Sequence, residues 1–200
     1  MEHMGLWNKF FGKPTSKGPE KSPYLPKYDD ALDIRFAENF TANGGFFLYS
    51  DSLEQVQSNY SNIYIENGWE QNEIVTLNPT LAQTFQTSLI DSHSSSLHHF
   101  KALLIECEFL IGNTGKILLS SQQIHHFKLN ELPQTLIITA NIQQLTLDVS
   151  EGMTLLKNKY KNSIPTNITS PKIKSEHLVD NKIQNAKTSS KNIYLLLEDF

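Results

Sequence analysis

The chain has a single cysteine, Cys107. That excludes an internal disulfide and any iron-sulfur or metal cluster held by cysteines of this chain alone. There is no excess of positive charge either, with 17 Lys and Arg against 21 Asp and Glu. Non-specific binding to nucleic acid needs a basic face that displaces counterions from phosphate, so nucleic acid is not an expected partner. No apolar run approaches the ~18 residues of a membrane-spanning helix. Near the N-terminus Asn8 and Lys9 break up Leu6, Trp7, Phe10 and Phe11, which leaves no signal-peptide core. A Gly-x-Ser-x-Gly elbow, a Walker loop and a dinucleotide fingerprint are all missing. Together these absences read as a cytoplasmic protein with no transmembrane segment. Cys107, in a stretch that is apolar apart from Glu106 and Glu108, reads as a small core side chain.

What is present divides at about residue 27. Four of the eight prolines (Pro14, Pro19, Pro23, Pro26) alternate with Lys13, Lys17, Lys21 and Lys27, the composition of an extended, mostly unpacked arm. Ahead of them, Gly5–Gly12 sets Leu6, Trp7, Phe10 and Phe11 on one helical face. That face is either a short anchor for a partner or membrane surface, or a locally packed fragment. Residues 28–200 read as one domain.

Within that domain helix and strand signals alternate. Asp30 can cap a helix with Ile34, Ala37 and Phe40 on one face, stopped by Asn43-Gly44-Gly45. Phe46–Tyr49 reads as a short buried strand, and Asp51-Ser52 caps a helix with Leu53, Val56, Tyr60 and Ile63 that ends at Asn67-Gly68. A strand over Glu73–Leu77 precedes a short helix opened by Asn78-Pro79, and residues 88–99 read as a loop. Lys101–Ile105, Thr135–Thr139 and Ile193–Leu197 are buried strands, and Ser150 can cap a helix with Met153, Leu155, Leu156 and Tyr160. This alternation predicts an α/β fold with a largely parallel sheet flanked by helices.

The candidate ligand contacts follow from one turn. Gly112-Asn113-Thr114-Gly115 separates two apolar runs, so a backbone can approach a ligand there, with an amide and a hydroxyl but no nucleophile. A plain hairpin turn has the same appearance. Two histidine pairs, His98-His99 and His125-His126, raise a metal reading. Adjacent residues on a strand or helix point apart, however, and only a fold accident could join them with His93, so no metal site is assigned.

In this order the segments resemble the LUD-domain family of lactate-utilisation proteins (LutC/YkgG type) over roughly residues 28 to 199. Four pieces carry the likeness. They are Phe40-Thr-Ala-Asn-Gly-Gly45 before a strand, and Glu108-Phe-Leu-Ile-Gly-Asn-Thr-Gly115 against Glu-x-x-Ile-Ala-Asp-Thr-Gly-Thr. The others are Leu132-Pro133 before a buried strand, and Ile168-Thr-Ser-Pro171 against Ile-Thr-Gly-Pro with a last strand ending in Glu198-Asp199. The resemblance implies the fold shared by glucosamine-6-phosphate isomerase, ribose-5-phosphate isomerase and the coenzyme A transferases. It also implies an accessory subunit in bacterial oxidation of L-lactate to pyruvate. Cys107 alone cannot hold a cluster, so the iron-sulfur centres would sit in partner subunits, and this chain is assigned no cofactor.

Carried onto these positions, the ligand contacts are Asn113, Thr114 and Gly115, faced by Thr169, Ser170, Lys172 and Lys174, with a small carboxylate or phosphate as ligand. The departures weaken chemistry. Asn113 replaces an aspartate, Lys116 a threonine, Ile173 a basic residue and Glu176 an aspartate. Ala186–Ser190 stands where the family has Gly-Val-His-Gly-Pro. The groups lost are those able to act as acid or base, so no catalytic residue is assigned. Glu108 matches a position of the family pattern, and coenzyme A transferases of this fold use a glutamate nucleophile, yet nothing beside it in sequence would activate it, and a surface or ion-paired helix position is its plainer reading. Two alternatives stay open: a non-catalytic binding or assembly module, and a sugar-phosphate or acyl-coenzyme A enzyme of the same fold.

Overall fold

The computed structural model describes residues 31–91, 96–161, 163–174 and 190–200. The elements begin with α1 (Leu32–Ala42), β1 (Phe46–Ser50), α2 (Leu53–Glu66), β2 (Ile74–Thr76), α3 (Pro79–Phe85) and β3 (Ser88–Leu89). Next come β4 (Ala102–Glu106), β5 (Phe109–Ile111), β6 (Lys116–Leu118) and α4 (Ser121–Ile124). The last are β7 (Thr135–Asn141), β8 (Leu145–Thr146), α5 (Val149–Tyr160), β9 (Lys172–Ile173) and β10 (Ser190–Glu198). The main sheet runs β1-β10-β7-β4-β2-β3, every pair parallel, and β9 adds to the start of β10. A smaller sheet, β6-β5-β8, lies beside it.

Period-two alternation splits the apolar strands between two cores. Leu103, Ile105, Leu136, Ile138, Ile193, Leu195 and Leu197 face α1 and the inner side of the small sheet, where Phe36, Phe40, Leu110 and Ile117 meet them. Leu104, Ile137, Leu196 and Ile74 face α2 and α3 through Val56, Tyr60, Ile63, Leu81 and Phe85. Each fully buried Leu, Ile or Phe contributes about 1.5–3 kcal/mol. Phe109, Ile111 and Leu118 point out of the small sheet onto Leu156 of α5. The α/β architecture with a mostly parallel sheet flanked by helices is as expected.

Local chemistry explains most boundaries. Ser52 caps α2 by accepting from the Gln55 amide, and Asn78 caps α3 from Thr80 and Leu81, with Pro79 at the first helical position. Four details differ from the sequence reading. The cap of α5 is Asp148, which accepts from the Glu151 amide, and Leu155 stays exposed while Gly152 and Leu156 are buried. Among the described residues β1 is an edge strand, paired on one side by β10, and Phe46 is 45 % exposed. Residues Ser88–Leu89 form a short parallel edge strand on β2 within the expected loop. The residue before α1 is Ala31 with no side-chain cap; Asp30, His93 and the N-terminal arm lie outside the described residues.

Candidate functional site

The Gly112–Gly115 turn is the tip of the β5–β6 hairpin, whose ladder pairs Ile111 with Lys116. It is clamped on two sides. Helix α1 presents Arg35, Asn39 and Asn43 at four-residue spacing, hence on one face. Arg35 Nη1 donates to Asn113 Oδ1, Asn39 Nδ2 to the Gly112 carbonyl and Asn43 Nδ2 to the Thr114 carbonyl, each at 2.9 Å. From the other side the Gly112 and Asn113 amides donate to the carbonyls of Thr146 and Leu147. Gly115 sits at φ +63°, and a Cβ there would lie 2.3 Å from the backbone nitrogen of Phe40. The glycine is demanded both by its own conformation and by the backbone of α1.

Beside the turn lies a cleft of about 540 Å³. Ala42 and Asn43 close one end, Gly115, Lys116 and Ile117 form one wall, and Ser170, Lys172 and Ile173 form the other over Ile193. The two loops singled out in the sequence therefore do meet, at Gly115, Ser170 and Lys172. The remaining candidates do not line this space. Asn113 and Thr114 are bonded to α1. Thr169 pairs with Leu119 through its backbone in both directions, and the Lys174 amide donates to the Lys191 carbonyl. Lys116, noted in the sequence only as a departure from the pattern, joins the wall. Asn43 was readable there as a member of the Arg35–Asn39–Asn43 series.

The cleft opens where β1 and β10 begin, at the amino ends of the strands, since Ala42 and Asn43 lead into β1 and Ile193 stands one residue past the first β10–β7 pair. Ligands of open α/β sheets usually bind at the carboxyl ends. Chemically, the site offers two lysines, the buried and unpartnered Ser170 hydroxyl, and an isoleucine-rich wall. It contains no carboxylate, imidazole or thiol among its described lining residues, so it can hold a small anion but supplies no acid or base near neutral pH. The C-terminal carbonyls of α1 work against an anion, which leaves the attraction to the lysines.

Glu108 lies elsewhere, and neither on a helix nor at the surface. It is 1 % exposed, just before β5. Its Oε1 accepts from Ser120 Oγ (2.6 Å), Gln123 Nε2 (3.0 Å) and Tyr160 OH (3.0 Å), and its Oε2 from Lys159 Nζ (2.9 Å). Burial raises its pKa, but the hydrogen bonds from Ser120, Gln123 and Lys159 outweigh it and hold the carboxyl below its usual range. A carboxylate so enclosed joins α4 and α5 to the small sheet and offers no open side to a substrate. Cys107 is buried, and its surroundings push the thiol pKa up, as for an inert core cysteine. His98 bonds Ser96, and no group of three or more His, Cys, Asp or Glu is placed to hold a metal among the described residues.

The strand order and the flanking layers define an α/β domain of Rossmann-like type. A crystal structure of a DUF162-family protein from Deinococcus radiodurans, the LUD-domain-like family, shares this fold with a TM-score of 0.59 over 87 % of this chain and 99 % of that one. The sequence identity is 12 %, so the likeness is one of fold. No protein-family model and no curated protein matches the sequence. Among the described residues no helix is long and apolar enough to cross a membrane.

Proposed function

We propose that this protein is a cytoplasmic, LUD-type accessory subunit of a bacterial system that oxidises L-lactate to pyruvate, with the iron-sulfur redox centres in partner subunits. The observation that carries this reading is the fold match over 99 % of a DUF162 protein, taken with the sequence pieces whose turn is locked onto α1. With a single cysteine this chain cannot ligate an iron-sulfur cluster by itself, so on this reading the clusters belong to other chains. Within such a complex the amino-end cleft holds a small carboxylate or phosphate between Lys116 and Lys172.

A binding or assembly role suits this cleft better than turnover, because no acid or base lines it among the described residues. An acyl-coenzyme A or sugar-phosphate enzyme using Glu108 fits less well, since that side chain is enclosed by four donors. The test is a gene deletion scored for growth on L-lactate, paired with affinity purification of the tagged chain. Impaired growth and recovery of a cysteine-rich iron-sulfur protein support the assignment. Normal growth in a strain without a paralogue, and no such partner, refute it.

A further inference from the structure

At the opposite edge of the sheet, where β2 and β4 end, lies a second crevice of about 270 Å³. Its floor is apolar, from Leu77, Ile105 and Pro79, and its polar rim is Asn78, whose side chain caps α3, with Glu106, Gln122, Gln123 and His125. Gln123 is committed to Ser120 and Glu108. The side chains of Glu106, Gln122 and His125 have no hydrogen-bond or ion-pair partner among the described residues. This is the strand edge at which open α/β sheets bind ligands.

His125 sits there at a conformational cost. Its backbone is at φ 51°, ψ −124°, and the Phe127 amide donates to the Ile124 carbonyl at 3.0 Å. That is the second position of a type II′ turn, where glycine fits freely and a side chain is strained. A glycine would make the same turn without strain, so the strain buys only the imidazole at the rim. Strained residues of this sort concentrate at ligand sites.

The crevice also has a sign. Glu106 lines it, no lysine or arginine among the described residues does, and Glu198 on the same face of the sheet feels the negative charge of Glu106 in addition to its own burial. An anion such as lactate is repelled from this edge, whereas the cleft at the other edge carries lysines. A cation small enough for the space gives the solvent-exposed Glu106 carboxylate a counter-ion, and an alkyl portion covers the apolar floor.

We propose that this crevice binds a small primary-ammonium compound, with Glu106 as counter-ion to the ammonium group and His125 and Gln122 bonding the rest of the molecule. The site is independent of the lactate-system reading and stands or falls without it.

The test is calorimetric titration of the full chain with ethanolamine and with putrescine, and with glycerol and L-lactate as uncharged and anionic comparators. Binding of an amine with a Kd of about 1 mM or tighter is expected, and no measurable binding of glycerol at this site. Glu106→Gln, an isosteric change at an exposed strand end, weakens the amine at least tenfold. His125→Gly weakens it too while raising Tm by roughly 2–4 °C, because it relieves the turn. A histidine kept only for structure would not give that opposite movement of affinity and stability. No amine binding by the wild type, unchanged affinity in Glu106→Gln, or unchanged affinity in His125→Gly each overturns the proposal, as does glycerol binding that Glu106→Gln removes.

Discussion

Lys159 Nζ lies 2.9 Å from Glu108 Oε2, with the ammonium side chain 51 % exposed and the carboxylate side chain wholly buried. The pair is thus lopsided. Solvent screens the lysine, and the carboxylate depends as much on Ser120, Gln123 and Tyr160 as on its counter-ion. Glu108→Ala strands three neutral donors and is expected to cost about 3 kcal/mol in urea denaturation. Lys159→Met leaves those three in place and should cost distinctly less. Equal losses in the two variants would contradict this account.

Acid sensitivity follows from the same carboxylate. Its folded pKa is depressed, so its stabilisation is complete above the unfolded value of about 4.3 and disappears as pH falls through the folded value. Wild-type stability should therefore fall more steeply below about pH 4 than that of Glu108→Gln. Parallel acid profiles would argue against it.

Lys191 predicts the opposite edge of the pH range. It is 3 % exposed, donates to the Leu132 carbonyl at 2.9 Å, and burial alone pushes its pKa below the usual lysine range. The folded state then binds fewer protons than the unfolded one, so its unfavourable contribution shrinks as pH rises from the folded value towards about 10.4. Buried tyrosines move stability the other way, so the informative quantity is the difference between wild type and Lys191→Met. That difference should shift in favour of the wild type between pH 7 and pH 10.

Two glycines with similar backbones separate strain from collision. Gly68 has φ +65° and open space around its missing Cβ, whereas at Gly115 the Cβ would meet the backbone of Phe40 and Asn39. Gly68→Ala should cost about 1 kcal/mol. Gly115→Ala should cost on the order of 3 kcal/mol, since the hairpin must leave α1. Comparable melting temperatures for the two would show that the hairpin tip is not held as described.

In the amino-end cleft, Lys116→Ala and Lys172→Ala should each weaken binding of pyruvate or phosphate severalfold, and the wild-type affinity should fall with added salt because both lysines face solvent. Salt-independent binding would place the anion elsewhere.

The strands of the main sheet were legible because a parallel sheet covered on both sides needs continuous apolar runs, and Leu103–Ile105, Leu136–Ile138 and Ile193–Leu197 are such runs. Caps at Ser52 and Asn78 were legible because the cap uses its own side chain. Harder to read were features decided by remote residues. Ser150 and Asp148 are equally good caps in sequence, and packing of Gly152 against Ile111 and Leu118 selects Asp148. The cleft was half legible. The meeting of Gly115 with Ser170 and Lys172 followed the motif order, but Asn113 and Thr114 were claimed by α1 partners 78 and 71 residues away. The Glu108 enclosure was hidden for the same reason, because Lys159 and Tyr160 lie 51 and 52 residues further along the chain.

β10 has a consequence for synthesis. Phe46 of β1 pairs with Tyr194, and β7 takes the same strand on its other side, so β10 is the wedge between the first strand and the rest of the sheet. During translation, until β10 has emerged, β1 has no strand partner among the described residues and β7 shows an unpaired apolar edge. A nascent chain stalled there carries two sticky edges at once. A fragment ending at residue 189 should aggregate, and a synthetic peptide of residues 190–198 added in trans should suppress that aggregation.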